Sequence, residues 1–255
     1  MMNIVEKGYG KINLALAITG RRADGYHNID TIFQSIGLCD TVTVSEADAF
    51  ELTCSQPSLA CDETNLAYKA WKALCPYKKD NQQVTIHIEK HIPIAAGLAG
   101  GSTDCAAVLR GLNRLWGLEL PETELCRLGA GLGADVPVCI CGGTRRGTGI
   151  GEEMNRLPPL PAWSVVIVHP RVPVQTKQAY ALFDSRIQTA PVAVDAVEQA
   201  VRAGDFQGLT AAMGNTFEEL IIPNVPQVAD CQQRLTALGL QPLMAGSGPP
   251  VFALV

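Results

Sequence analysis

The strongest chemical signal in the sequence is a run of small residues that leads directly into a helix pattern. Residues 93–104 read Pro-Ile-Ala-Ala-Gly-Leu-Ala-Gly-Gly-Ser-Thr-Asp. Small side chains let the backbone approach a ligand closely and adopt positive φ angles. Because Ser102 is a good N-cap, the run should present free N–H groups and the positive end of a helix dipole, which suit a phosphate. A purely structural glycine turn remains open on composition alone.

This glycine-rich run differs from the two commonest nucleotide loops. No Gly-Lys-Ser/Thr follows it, and the Gly-x-Gly-x-x-Gly spacing of a dinucleotide fingerprint is missing. Asp104 in the first predicted turn favours the helix dipole but would repel a polyphosphate at the same place. Either the Asp104 side chain turns away, or a divalent cation lies between it and the phosphates.

Three other polar residues stand in apolar surroundings. Lys11 follows a glycine and precedes an apolar run, where a solvated lysine at a strand edge is the alternative interpretation. Asn13 lies two residues further along the same predicted strand, so both side chains share one face. Asp135 stands between Ala134 and Val136, and a carboxylate there costs free energy unless it is paired or functional. A helix cap or a buried ion pair is the alternative for Asp135.

The hydrophobic periodicity indicates alternating strands and helices, typical of an α+β or α/β chain in two lobes. Strands are predicted over residues 12–18, 41–44, 84–88, 163–168 and 251–255. Helices are predicted over residues 65–74, 102–115, 122–132, 176–183, 192–203 and 205–220. Three prolines within residues 157–161 indicate the boundary between the lobes. The predicted domains are therefore residues 1–157 and 158–255.

Composition excludes several classes of protein. With 47% hydrophobic and 18% charged residues, the 255-residue chain is not intrinsically disordered. Its net charge of −5 lacks the basic excess of a nucleic-acid binder. Residues 1–9 contain no apolar run, so no signal peptide is expected. Residues 235–255 carry no charge, but prolines and glycines interrupt them, so we expect a loop and a buried strand rather than a membrane span.

The cysteines show no pattern typical of zinc binding. The sequence contains 9 of them, with no Cys-x-x-Cys pair and no Cys/His cluster at zinc spacing. We expect buried free thiols in a reducing cytoplasm. Cys139 and Cys141 are expected on one face of a strand.

Five segments together resemble the GHMP kinases. Residues 93–113 resemble the phosphate-loop motif of that family, and residues 11–14 with 22–27 are similar to its first motif. Residues 133–137 resemble its catalytic-aspartate segment, and residues 244–249 resemble its third, glycine-rich motif. The matches occur in the family's order along the whole chain. The chain departs from the family at Gly8-Tyr9-Gly10, at Arg145-Arg146, at Ala245 in place of a serine, and at Val255, beyond which relatives continue.

The resemblance implies a fold and an activity. The fold is a two-lobed α+β GHMP kinase, with an N-terminal lobe like ribosomal protein S5 domain 2 and a ferredoxin-like C-terminal lobe, and with the substrate in the cleft between them. The activity is an ATP-dependent small-molecule kinase of isoprenoid precursor synthesis that acts on a cytidine-diphospho sugar alcohol. Mg²⁺ comes with the nucleotide, and no protein residue is assigned as a metal ligand. A cytoplasmic monomer or weak homodimer is expected, without nucleic-acid or membrane partners.

The resemblance also assigns roles to residues. Lys11 and Asp135 are the implied catalytic pair. The implied substrate-binding residues are Asn13, Tyr26, His27 and Tyr180, with the cytosine between the two tyrosines and His27 at the base edge; alone, Tyr26 and His27 would be interpreted as surface residues. The implied ATP-binding residues are Pro93, Ile94, Ala95, Ala96, Gly97, Leu98, Ala99, Gly100, Gly101, Ser102, Thr103 and Asp104.

Two other functions remain as alternatives. The first is another GHMP small-molecule kinase of the homoserine or mevalonate type. Tyr26 and His27 disfavour it, because an aromatic ring and a histidine suit a nucleobase better than a small aliphatic acid. The second is a catalytically inert nucleotide-binding protein, which the presence of both Lys11 and Asp135 disfavours.

Overall fold

The structure is a computed structural model that describes residues 2–78, 81–185 and 189–255. Its strands are β1 (Asn3–Arg21), β2 (His27–Ala47), β3 (Glu51–Cys54), β4 (Gln83–Glu89), β5 (Thr144–Thr148), β6 (Glu153–Arg156), β7 (Val165–Val168), β8 (Gly214–Asn215), β9 (Pro242–Met244) and β10 (Val251–Leu254). Its α-helices are α1 (Leu66–Leu74), α2 (Gly100–Leu115), α3 (Glu122–Ala130), α4 (Val136–Cys141), α5 (Thr176–Asp184), α6 (Val194–Ala203), α7 (Phe206–Ala212), α8 (Glu218–Ile221) and α9 (Pro226–Ala237).

The chain forms two compact units. Unit 1 contains residues 2–10, 35–94 and 99–142, and unit 2 contains residues 11–34, 95–98 and 143–255. Strands β1 and β2 and the glycine-rich run therefore pass from one unit into the other. The domain boundary at residue 157 stays a prediction.

Unit 1 is built around the sheet order β3-β4-β2-β1. Strand β2 pairs with β4 in antiparallel register, with Val42 opposite Ile88 and Val44 opposite Ile86. Because side chains alternate between the two faces of a strand, all four point into one core and are almost fully buried. Helix α2 covers this core with an apolar stripe. The start of α2 is thereby fixed against the sheet.

Unit 2 contains further strands of the sheet to which β1 and β2 belong, and it contains a second sheet. Strand β5 pairs with β2, β6 pairs with β5, and β8 runs parallel to β1. The second sheet has the antiparallel order β7-β10-β9. Apolar residues of β1 and β10 form a core with α5, α8 and α9, which includes Leu16, Phe217, Val228 and Ala253.

Two sequence predictions of helix geometry are wrong. The helix predicted over residues 205–220 is instead α7, the short strand β8 and α8. Helix α2 begins at Gly100, with Ala99 as its N-cap in the left-handed region at φ 62°. Ser102 is therefore not the N-cap, and Asp104 lies beyond the first turn, because the glycines extend the helix by two residues.

The predictions for the cysteines also need correction. Cys139 and Cys141 lie in helix α4, not in a strand. Of the free cysteines, Cys105 and Cys231 are buried, Cys61 is exposed, and the others are partly exposed. Burial was therefore predicted too broadly. Within the described ranges, no helix is both long enough and apolar enough to cross a membrane.

Candidate functional site

The glycine-rich run enters α2 through a sharp change of backbone direction. Ala99 adopts φ 62°, and its carbonyl accepts a hydrogen bond from the Thr103 amide at 2.8 Å. Gly101 is exposed and Ser102 is half-buried, so the first turn of α2 is accessible from outside. A helix start with free N–H groups and small residues can bind an anion.

Asp104 turns away from this helix start. Its Oδ2 lies 2.6 Å from Lys90 Nζ, which also lies 2.5 Å from Asp40 Oδ2. Asp40 Oδ1 in turn accepts hydrogen bonds from the amides of His91 and Ile92. Burial raises the pKa of Asp104 to about 7, although the Lys90 ammonium acts in the opposite direction. Of the two alternatives for Asp104, the structure therefore shows the first.

Asp135 directly precedes α4. Its backbone carbonyl accepts a hydrogen bond from the Cys139 amide at 3.2 Å, but its side chain does not cap the helix. A Cβ on Gly133 would lie 3.9 Å from Ser102 Oγ, so the segment before Asp135 lies beside the first turn of α2. Unit 1 thus brings the predicted phosphate-binding turn and the predicted catalytic segment together.

Lys11 is buried in unit 2 with only 6% of its surface exposed. Its Nζ donates to Asn13 Oδ1 at 2.9 Å, and Asn13 Nδ2 donates to Thr31 Oγ1 at 2.8 Å. Thr31 completes the chain by donating to the Ala15 carbonyl at 2.6 Å. The Lys11 ammonium also lies 5.5 Å from the centre of the Phe33 ring. The alternative of a solvated lysine is wrong, and the predicted shared face of Lys11 and Asn13 is confirmed.

The middle of the glycine-rich run and the third motif both lie against Lys11. The Lys11 amide donates to the Leu98 carbonyl at 3.1 Å. A Cβ on Gly246 would lie 3.7 Å from Lys11 Nζ and 3.8 Å from Asn13 Oδ1. Three segments that are remote in sequence therefore meet within unit 2.

Asn215 holds the third motif in place and was missed in the sequence. Its Nδ2 donates to the carbonyls of Met244 and Gly246, at 2.8 Å each. Its Oδ1 accepts a hydrogen bond from the Phe217 amide at 2.9 Å. The sequence pattern predicts one helix over residues 205–220, and in such a helix Asn215 would be an ordinary polar residue. The pattern therefore gives no sign of its role.

Two of the residues predicted to bind a base, His27 and Tyr180, form a stacked pair in unit 2. The rings of His27 and Tyr180 stack with centroids 4.7 Å apart and an interplanar angle of 19°. His27 Nε2 lies 2.7 Å from Asp184 Oδ1. Tyr26 directly precedes His27 in the turn between β1 and β2, with 61% of its surface exposed. Since His27 covers one face of Tyr180, a base cannot stack on that face.

Two departures from the family pattern have structural explanations. A Cβ on Gly8 would lie 2.9 Å from the Thr103 carbonyl oxygen, so this position needs a glycine. The Arg146 guanidinium binds Asp30, Asp195 and Glu198 within unit 2. Arg146 therefore belongs to a network of ion pairs.

Known proteins resemble the whole chain. The family described as GHMP kinases N terminal domain matches residues 65–143. The 4-diphosphocytidyl-2-C-methyl-D-erythritol kinase of Bacillus cytotoxicus is 41% identical over 257 residues, which covers 100% of this chain and 89% of that protein. The kinase of the same name from Moorella thermoacetica is 43% identical over 96% of this chain and 88% of its own.

Solved structures agree with these sequence relatives. A crystal structure of 4-(cytidine 5'-diphospho)-2C-methyl-D-erythritol kinase matches with a TM-score of 0.82 and 32% identity, over 99% of this chain and 90% of the other. Homoserine kinase from Cytophaga hutchinsonii matches with a TM-score of 0.76 over 99% of this chain and 85% of its own, but at 20% identity it supports the fold alone. The α+β GHMP kinase fold is thereby confirmed. With about 40% identity to these kinases along its full length, the chain belongs to the 4-diphosphocytidyl-2-C-methyl-D-erythritol kinase family within the GHMP kinases.

Proposed function

We propose that the protein transfers the γ-phosphoryl group of ATP to the 2-hydroxyl of 4-diphosphocytidyl-2-C-methyl-D-erythritol, in the non-mevalonate route to isoprenoid precursors. The observation that carries the proposal is the full-length identity to kinases of that name. The two residues implied to be catalytic are both present: Lys11 is buried in unit 2, and Asp135 directly precedes α4 in unit 1. The products are ADP and the 2-phosphate of the substrate.

Asp135 and Lys11 are assigned complementary roles in this reaction. Phosphoryl transfer to an alcohol needs a base on the hydroxyl and positive charge near the transferring group. We assign the Asp135 carboxylate as the base that accepts the hydroxyl proton. The Lys11 ammonium, held by Asn13, offsets negative charge on the transferring phosphoryl group.

The first turn of α2 is assigned to the phosphates of ATP. Free backbone N–H groups of the glycine-rich run bind them without a Walker lysine. Mg²⁺ prefers oxygen ligands and keeps phosphate and water in its shell, and the Ser102 hydroxyl at the start of α2 is an oxygen donor that suits it. When bound, the ion neutralises charge on the β- and γ-phosphates. We assign no metal ligand role to Asp104, whose Oδ2 binds Lys90.

The structure bears on both alternatives. The solved homoserine and mevalonate kinases are only 20% and 17% identical to this chain, so their structural likeness supports a shared fold and not a shared substrate. The stacked rings of His27 and Tyr180, with the exposed Tyr26 next to His27 in the chain, suit a planar base better than a small acid, since aromatic rings stack on bases. An inert nucleotide-binding protein has no need for a buried lysine such as Lys11.

A substrate panel tests the proposal directly. The protein is incubated with ATP, Mg²⁺ and, separately, the cytidine-diphospho alcohol, homoserine and mevalonate, and ADP release is measured. ADP release with the cytidine-diphospho alcohol alone is the expected result. Turnover of homoserine or mevalonate instead would contradict the assigned substrate, and no turnover with any alcohol would contradict the kinase.

Replacing Gly101 by Val places a branched side chain where the backbone N–H groups are proposed to bind phosphate. The KM for ATP is expected to rise by about tenfold or more, because the loss of hydrogen bonds to a charged phosphate is costly. A Cβ there meets only Leu66 Cδ1, at 3.8 Å, so the fold should survive. Gly37→Val is the matched control, since a Cβ on Gly37 meets nothing within 4 Å. Steady-state kinetics and melting temperatures check both variants. An unchanged KM for ATP in folded Gly101→Val would remove α2 from the phosphate site.

Replacing Tyr26 by Ala is expected to raise the KM for the cytidine substrate about five- to 150-fold. Stacking of a base on an aromatic ring contributes on the order of 1–3 kcal/mol, which corresponds to that range. The KM for ATP should stay constant and serves as the internal control. If the KM for ATP moves and that for the cytidine substrate does not, Tyr26 does not bind the base.

A further inference from the structure

The two ring nitrogens of His27 have different surroundings. Nε2 lies 2.7 Å from Asp184 Oδ1, and the ring stacks on Tyr180 and makes a T-shaped contact with Phe183. Nδ1 has no hydrogen-bond partner among the residues that the structure describes. The residue is only 7% exposed. Nδ1 is not among the described side-chain atoms that are both buried and without a partner, so it is open to solvent, and a bound ligand can supply a hydrogen bond there.

The carboxylate determines what Nδ1 can do. A carboxylate oxygen accepts hydrogen bonds and cannot donate, so the proton of the neutral ring must be on Nε2. Nδ1 then carries a lone pair and acts as an acceptor. The two pyrimidine bases differ at the matching edge, because cytosine presents a 4-amino donor where uracil presents a carbonyl acceptor.

We infer that Asp184 is a specificity-determining residue, which fixes the Nε2–H tautomer of His27 so that Nδ1 accepts from the 4-amino group of cytosine and disfavours uracil. The inference rests on the proposed function for its ligand, but the tautomer is a property of the free protein. Asp184 touches no substrate in this scheme and acts through His27. Because the two residues are 157 positions apart, no local motif contains the pair.

The first test measures base selectivity. The ratio of kcat/KM for the cytidine-diphospho alcohol over its uridine-diphospho analogue is compared in wild type, Asp184→Ala and His27→Ala. We expect the ratio to fall about tenfold or more in both variants, through the KM of the cytidine substrate, because a mismatched buried polar edge is costly. Combining both substitutions should lower the ratio little further.

Arg21→Ala is the matched control. Arg21 also lies near Asp184, with Nη1 at 3.5 Å from Oδ2, and its side chain is 62% exposed. Its removal leaves the contact between Asp184 and His27 intact, so the ratio should not change. A fall in Arg21→Ala equal to that in Asp184→Ala would overturn the inference, and so would an unchanged ratio in Asp184→Ala.

The second test reads the tautomer without any substrate. Nitrogen-15 chemical shifts of the His27 ring distinguish Nε2–H from Nδ1–H, and the sequence contains only 4 histidines to assign. At a pH where the ring is neutral, we expect Nε2–H in wild type and a mixture in Asp184→Asn, whose amide can donate or accept. Protonation on Nδ1 in wild type would refute the inference. If wild type shows Nε2–H but does not phosphorylate the cytidine alcohol, the proposed function fails and the ligand assigned to Nδ1 fails with it.

Discussion

Replacing Asp135 by Asn is expected to lower kcat by roughly 10²–10⁴, the usual contribution of a general base. The substitution keeps the size of the side chain and removes its charge and its ability to accept a proton. The Asp135 side chain does not cap α4, and the melting temperature is measured beside the turnover, so that a loss of the base is distinguished from a loss of the fold. Steady-state turnover with saturating substrates, together with calorimetric ATP binding, measures the effect.

Asp205→Asn is the matched control for this substitution. Asp205 caps α7 by accepting from the Gly208 amide at 3.0 Å, and asparagine caps a helix equally well. The control should therefore keep wild-type turnover. Turnover of Asp135→Asn within a few fold of wild type would show that another group is the base.

Replacing Lys11 by Met is expected to lower kcat by roughly 10²–10³, the cost of losing one preorganised donor to developing negative charge. Methionine fills most of the same volume beside Phe33 but cannot donate to Asn13. Asn13 Nδ2 still donates to Thr31, so the strand should keep its geometry. The effect is measured as kcat at saturating ATP and alcohol.

Lys7→Met, on the same strand β1, provides the comparison. Lys7 is exposed, and its Nζ donates to Thr41 Oγ1 at 2.7 Å. Its replacement should leave kcat unchanged. Equal kcat values for Lys11→Met and wild type would contradict a catalytic role for Lys11.

Features carried by contiguous residues could be predicted from the sequence. Lys11 and Asn13 share a face because a strand alternates every two residues. Helix α2 follows from its apolar stripe, and the turn at its start follows from the glycines. The short segment from Val136 to Cys141 could not be assigned by period, because brief apolar runs fit a strand and a helix equally. Pro137 in its first turn was the overlooked signal, since proline is tolerated there.

Features that depend on distant partners could not be predicted. Lys90 binds Asp40, 50 residues earlier, and Asp104, 14 residues later. The helix predicted through Asn215 failed because β8 pairs with β1 and the Asn215 amide bonds the third motif. Here tertiary contacts override a local helical spacing. Only the folded chain shows why an asparagine is needed there.

The backbone at Gly97 has a consequence for resistance to inhibitors. Gly97 adopts φ 61°, and any Cβ there would lie 2.8 Å from the Ala245 carbonyl oxygen. Every side chain would thus be strained by the torsion and would collide with rigid backbone. Substitution of Gly97 itself therefore cannot add a side chain at this point without straining the fold. A compound whose affinity comes from contacts with the Gly97 and Gly246 backbone would meet a target that selection has little freedom to alter.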